Sequence, residues 1–257
     1  MFATVECKDS ENNFRTFFRD LFSLPEIIFQ RVTVPDADDF YRVIATEYRG
    51  QMPVTEVTEK LTKLKGSVLF DINFPDEEST RCLEFHPEKL PKLLLFNSFT
   101  DYTESLGLPA EKSSLTVFDS EGVYTDVIEK AVKLFSKIEI YTKRPDLYKR
   151  TSESLLDRYG ISIVIRDSFS GKAPKSTVIL CPEEVPFCNF FQGIIFTLKD
   201  NIPPCSCGII GEGIDLPPVY ELLRPHGIDS LSFASALYEK SNAHKLGSLS
   251  CRKLRII

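Results

Sequence analysis

The chain has 257 residues, 42% hydrophobic and 26% charged, a balance that excludes a disordered or fibrous protein and fits one large core or two ordinary ones. Its formal net charge of −6, from 31 basic and 37 acidic side chains, offers no field that would draw in a polyanion, so no nucleic-acid partner is expected.

The opening residues, MFATVECKDSENNFRTFF, lack a basic stretch followed by an apolar one. No run approaches the roughly 20 apolar residues of a membrane span. The expectation is a cytoplasmic protein without a membrane partner. EIIFQRVTV from Glu26 is rich in β-branched residues and predicts a strand. Pro35, Asp36 and Asp38 then open DADDFYRVIATEY, where Phe40, Ile44 and Tyr48 fall on one helical face and predict a helix. VTEVTEKLTKLKG from Val54 sets Val57, Leu61 and Leu64 on a helical face with Gly66 as its stop, and SVLFDINF follows as a short buried strand. KLLLFNSF, Lys92 to Phe99, reads as a further strand, after the polar excursion PDEESTRCLEFHPEKLP. Residues 1–110 are thus expected to form an α/β domain whose strand order stays open. ESLGLPAEKSS, Glu104 to Ser114, has the composition of a linker and places the boundary there.

Residues 111–257 have a regular rhythm. LTVF predicts a strand, VYTDVIEKAVKLF a helix with Val123, Val127, Ala131 and Leu134 inward, and KIEIYT a second strand. PDLYKRTSESLLDRYG predicts a helix with Pro145 in its first turn, Leu147, Thr151 and Leu155 in line, and Gly160 as its stop. ISIVIRD, STVILC and GIIFTL supply three more apolar strands. Helices are expected around Tyr220 to Leu223 and across Leu231 to Lys240, packing back across the domain junction or forming an oligomer contact. Apolar strands alternating with helices imply a mostly parallel, three-layer, Rossmann-like α/β domain with C-terminal helices. The turn after Phe118 then lies at the carboxyl edge of the sheet, where ligands bind.

This layout, an α/β domain followed by a Rossmann-like domain and terminal helices, resembles the shikimate dehydrogenase type of NAD(P)-dependent oxidoreductase. The resemblance implies a glycine-rich pyrophosphate turn after the first strand and a basic cluster for the NADP phosphate after the second. The chain has FDSEG, Phe118 to Gly122, at the first place and YTKR, Tyr141 to Arg144, at the second. The basic cluster matches in character, and the turn does not. Asp119 and Glu121 bring negative charge where a pyrophosphate would lie, and Cβ atoms stand where glycines would allow close approach. Asp119 or Ser120 is instead suited to capping the helix that follows. VTVP, Val32 to Pro35, is similar to the family's substrate loop, but Asp36 and Ala37 stand where a catalytic lysine is wanted, so no catalytic residue carries over.

The ligand-binding candidates are therefore Asp119, Ser120, Glu121, Gly122, Thr142, Lys143, Arg144 and Arg166, the last three as anion holders. The seven cysteines, at 7, 82, 181, 188, 205, 207 and 251, are expected as reduced thiols. Cys181, Cys188, Cys205 and Cys207 share one segment, but their C-x6-C and C-x-C spacings favour buried or loop thiols over a zinc site. CGIIGEG, Cys207 to Gly213, reads as a turn or hinge, and His86, His226 and His244 are scattered. Three readings follow. The first is a noncatalytic Rossmann-like protein that binds a small anionic metabolite in the crevice between domains or a protein partner on its surface, with no cofactor. The second is an NADP-dependent oxidoreductase with a divergent phosphate loop. The third is a structural protein that self-associates through terminal helices bearing Phe233 and Leu237.

Overall fold

The computed structural model describes residues 1–8, 26–47, 51–107 and 109–257. They belong to two compact units, Met1–Leu90 with Asp215–Leu246, and Pro91–Ile214 with Gly247–Ile257. In chain order, the elements of the first unit are β1 (Phe2–Lys8), β2 (Ile27–Val32), β3 (Phe40–Thr46), α1 (Val54–Leu64), β4 (Ser67–Phe70) and the single turn α2 (Glu78–Arg81). The second unit continues with α3 (Leu90–Leu106), β5 (Ser114–Phe118), α4 (Glu129–Val132), β6 (Lys137–Tyr141), α5 (Pro145–Tyr159), β7 (Ile163–Arg166), β8 (Val178–Leu180), β9 (Phe191–Thr197) and β10 (Cys205–Glu212). The chain then supplies α6 (Pro218–Glu221) and α7 (Ser230–Lys240) to the first unit and β11 (Lys253–Ile256) to the second.

The first unit is a four-stranded sheet in the order β2-β3-β1-β4, with β1 parallel to β3 and β4, and β2 antiparallel to β3. Side chains alternate across it. Ala3, Val5, Val43 and Ala45 face α1 and pack on Val57 and Leu61. On the opposite face Phe2 stacks on Phe40 at 4.9 Å, and Phe233 of α7 meets their rings edge-on at 6.3 and 5.6 Å.

Several local expectations give way to this arrangement. Residues 40–46 are a strand and not a helix; the four-residue spacing of Phe40 and Ile44 is also an even spacing, and hydrogen-bonded neighbours on both sides decide for the strand. Tyr48, the third residue of that expected face, lies outside the described residues, as does part of the opening stretch read for export. Helix α1 stops at Lys65, in the left-handed conformation at φ 49°, and not at Gly66. Lys92 to Phe99 is helical: residues 93–100 of α3 are all buried, and a helix buried on every side shows no polar stripe to distinguish it from a buried strand. The Glu104–Ser114 stretch ends α3 and enters β5 through a short 3-10 turn, Ala110–Lys112, so the units divide in sequence at Leu90 and not near residue 110. Phe233 and Leu237 are fully buried within the first unit, which leaves them no part in self-association.

The second unit holds a seven-stranded sheet in the order β11-β10-β9-β8-β5-β6-β7, parallel except for β11. Winding outward from β5 through β6 to β7, then back past β5 to β8, β9 and β10, is the doubly wound Rossmann order. Phe99 of α3 packs on Phe196 of β9 at 5.3 Å and on Phe135 at 5.7 Å, which places these groups on one face. The other face bears Phe118, Ile179, Cys181 and Ile195 and is covered by Phe169 and Phe187, from the irregular segments after β7 and β8. The connections from β8 to β9 and from β9 to β10, residues 181–190 and 198–204, contain no helix and are shorter than the dozen residues usual between parallel strands.

Between β5 and β6 only Glu129–Val132 is α-helical, and the buried apolar residues after the turn are Tyr124, Ile128, Ala131, Val132 and Phe135, whereas Val123, Val127 and Leu134 are half-buried. CGIIGEG is mostly strand β10 and no hinge. A Cβ on Gly211 would stand 2.8 Å from Cys251 Sγ and 2.9 Å from Leu95 Cδ1, so close packing is why a glycine occurs in a buried strand. Among the described residues, no helix is long and apolar enough to cross a membrane.

Phe233 carries much of the core on its face of the first sheet. Phe233→Ala is expected to destabilise the fold by about 3–5 kcal/mol, measured by urea unfolding of the full chain.

Candidate functional site

The sheet order reverses between β5 and β8, and the carboxyl ends of these strands and of β6 are where an open α/β sheet holds a ligand. Asp119 follows β5 directly and is completely buried. Its Oδ1 accepts the N–H groups of Gly122 and Val123, both at 3.0 Å, and its Oδ2 accepts the N–H of Tyr124 at 2.9 Å. The Tyr148 hydroxyl of α5 donates to the same Oδ2 at 2.5 Å. The backbone donors that a Rossmann turn offers to phosphate are therefore satisfied by a side chain of the turn itself. Gly122, at φ +75°, lies against α5: a Cβ there would stand 2.6 Å from Leu147 Cδ1. The single glycine of the turn thus serves the backbone conformation and the packing of the next helix.

Burial, then the charge of Asp119 and the bond donated to it, pushes the Tyr148 phenol far above its usual range. Tyr124 is driven upward in the same way, first by burial and then by the Asp119 charge, and its hydroxyl has no hydrogen-bond partner among the described residues. Both phenols stay neutral.

Beside this centre, the Ser120 hydroxyl donates to Glu183 Oε2 at 2.7 Å, and Lys92 Nζ donates to Glu183 Oε1 at 2.8 Å. Desolvation raises the Glu183 carboxyl, but the hydrogen bonds from Lys92 and Ser120, helped by the charges of Lys92 and Lys143, outweigh it and hold the group below its usual range. Lys143 is exposed, and among the described residues it has no carboxylate within ion-pair distance.

The other predicted residues have different occupations. Thr142 is buried; its N–H donates to the Arg166 carbonyl at 2.9 Å and its Oγ1 accepts the Arg144 N–H at 3.0 Å, closing the turn into α5. The Arg144 guanidinium is directed to Asp146 at 3.4 Å, and that of Arg166 to Glu139. Glu121 is exposed at the tip of the turn. Phe118 and Tyr141, the last residues of β5 and β6, stack at 5.1 Å, and Phe169 meets both edge-on at 5.1 and 5.0 Å. The structure gathers Asp119, Ser120, Gly122 and Lys143 at the site and assigns Arg144 and Arg166 to local ion pairs. Lys92, Tyr148 and Glu183 escape a reading from sequence: Lys92 stands in α3, whose apolar run fits a strand equally well, and Glu183 is separated from Ser120 by 63 residues. The hydroxyl of Tyr148, on the buried face of α5, was the one legible sign.

Cys181 is buried, with its thiol pushed up to about 12 by burial, while Cys188 is exposed and Cys205 and Cys207 are half-buried on β10. Among the described residues these four do not gather into a metal-binding group.

No protein-family model matches the sequence, and no curated protein does. Among solved structures the chain is similar to L-tryptophan dehydrogenase from Nostoc punctiforme, at 11% identity over 77% of this chain and 58% of that one, with a TM-score of 0.30. It is similar to quinate dehydrogenase from Corynebacterium glutamicum, solved in complex with NAD, at 10% identity over 77% of this chain and 80% of that one, with a TM-score of 0.32. Shikimate dehydrogenase from Aquifex aeolicus gives 11% identity over 77% of each chain and a TM-score of 0.26. The chain spans less than two thirds of the tryptophan dehydrogenase. The resemblance of plan to the shikimate dehydrogenase type extends to these structures at a level that transfers no activity.

Asp119→Ala would leave three backbone N–H groups, that of Tyr124 buried and those of Gly122 and Val123 half-buried, and a buried phenol without their acceptor. It is expected to cost about 3 kcal/mol or more in urea unfolding, with part of the loss restored by added formate. Because the folded Glu183 carboxyl titrates lower than its ordinary value of 4.5, its contribution is present above that pH and is lost as pH falls through the folded value. Glu183→Gln should therefore flatten the acid limb of the stability curve, measured by thermal melting against pH.

Proposed function

We propose that the second unit is a Rossmann-type binding domain that takes a small anion at the carboxyl ends of β5 and β6, and that it neither binds a dinucleotide in the usual mode nor transfers hydride. The observation that carries this reading is the Asp119 carboxylate, which occupies the N–H groups of Gly122, Val123 and Tyr124. A nicotinamide dinucleotide needs such donors for its pyrophosphate. Bringing that group to the turn would also set it against a buried carboxylate, where low dielectric makes the repulsion costly. The residues present do not fit the cofactor that the plan implies, so no catalytic step is assigned through it.

A small anion requires less. Beside Glu183 lie the ammonium groups of Lys92, which is held by that carboxylate, and of Lys143, which is exposed and stands away from the buried Asp119. Arg144 and Arg166, held by Asp146 and Glu139, contribute less to an anion there.

The test is isothermal titration of the full chain with NADPH, NADH and inorganic phosphate at low and moderate salt. Neither dinucleotide should give a saturable heat, while phosphate should bind weakly, with a salt-sensitive affinity that Lys143→Ala removes. Saturable binding that prefers NADPH, with Arg144→Ala weakening NADPH more than NADH, would overturn this reading in favour of an NADP-dependent oxidoreductase.

A further inference from the structure

Among the described residues strand β2 ends the sheet of the first unit, and the strand itself carries few of the devices that keep edge strands apart. Ile27–Val32, IIFQRV, contains no proline, no lysine and no register shift against β3. Ile28 and Phe29, on opposite faces of the strand, are 37% and 36% exposed. The one charged side chain, Arg31, is drawn back toward its own unit by a hydrogen bond from Nε to Asp39 Oδ2 at 2.7 Å.

The pattern of backbone bonds selects how such an edge can be covered. The Thr46 N–H donates to the Glu26 carbonyl, and these residues lie opposite each other in the β2–β3 register. Alternation then turns Ile28, Gln30 and Val32 inward to β3 and leaves the N–H and C=O groups of Ile27, Phe29 and Arg31 directed outward. We infer that this edge pairs with the β2 edge of a second copy of the chain, antiparallel and about a two-fold axis through Phe29. In that register Phe29 lies opposite Phe29, Ile27 opposite Arg31 and Ile28 opposite Gln30. All the outward groups find partners, giving about six backbone hydrogen bonds. A two-fold axis at Arg31 would oppose two guanidinium groups, and one at Ile27 would leave Arg31 outside the ladder. The Phe29 register opposes no like charges and sets each Arg31 diagonal to the other copy's Phe29 ring.

Sedimentation velocity of the full chain over a concentration series tests the pairing. A concentration-dependent dimer is expected, and Phe29→Lys, which opposes two ammonium groups at the axis, should weaken it by roughly tenfold or more, with circular dichroism confirming the fold. In a chain with Cys82 and Cys188 replaced by Ser, Phe29→Cys should cross-link under mild oxidation, because Cα atoms of a hydrogen-bonded pair lie about 5.5 Å apart, within disulfide reach. Gln30→Cys should not, since it faces Ile28. A monomer at every concentration, a dimer indifferent to Phe29→Lys, or equal cross-linking at both positions would each overturn the inference.

Discussion

The second unit depends on a buried carboxylate held by four donors. Asp119 receives three backbone N–H groups from the turn that follows β5 and the hydroxyl of Tyr148 from α5. An ionised acceptor in a low-dielectric interior makes each of these bonds stronger than its neutral counterpart, and it leaves none of the donors unpaired. The bonds set the curvature of the turn, so that Tyr124 enters the core beside Phe96 at 5.2 Å. They also tie α5 to the end of β5, while Gly122 lets Leu147 approach without a clash. A doubly wound sheet ordinarily offers donors in this place to a ligand. Here the fold satisfies them internally, so the turn is complete without one.

A similar economy governs the cations around the carboxyl ends. Arg144 answers to Asp146, Arg166 to Glu139 and Lys92 to Glu183, each through a short-range pair. Basic residues that composition alone would assign to a phosphate are largely neutralised by neighbours on the same elements or across the strand ends. The stacked rings of Phe118 and Tyr141, closed over by Phe169, fill the adjacent face with the chain's own aromatic groups. Around Phe118, Ile179 and Ile195 that face is packed by Phe169 and Phe187 from irregular segments, in keeping with the short connections after β8 and β9.

The first unit follows a different logic. Its central strands are buried on both sides, by α1 against Val43 and Ala45 and by the late helix α7 against Phe2 and Phe40. The chain therefore completes this core only after the whole parallel sheet of the second unit has been laid down in sequence. Among the described residues coverage fades toward β2, where two large apolar side chains, Ile28 and Phe29, remain at the surface.

Elements whose information is local were legible in the sequence. Strands β5 to β9, the helix from Pro145 with its stop at Gly160, and α1 follow from apolar runs, turn residues and helical periodicity within a few residues of one another. So did the objection to a phosphate at FDSEG, since charge and Cβ atoms are properties of the residues themselves. The choice between strand and helix at Phe40–Thr46 and Lys92–Phe99 was not local. An apolar run fits either form until its hydrogen-bond partners are known, and those partners lie far away in sequence. Strands β1, β10 and β11 likewise depend on neighbours that no window contains. The sequence by itself determined that a doubly wound sheet would form and that its first turn would be acidic. Only the tertiary structure decided that Asp119 turns inward to take the turn's own donors, because Tyr148 and the packing of α5 make that the place where a buried charge is fully bonded.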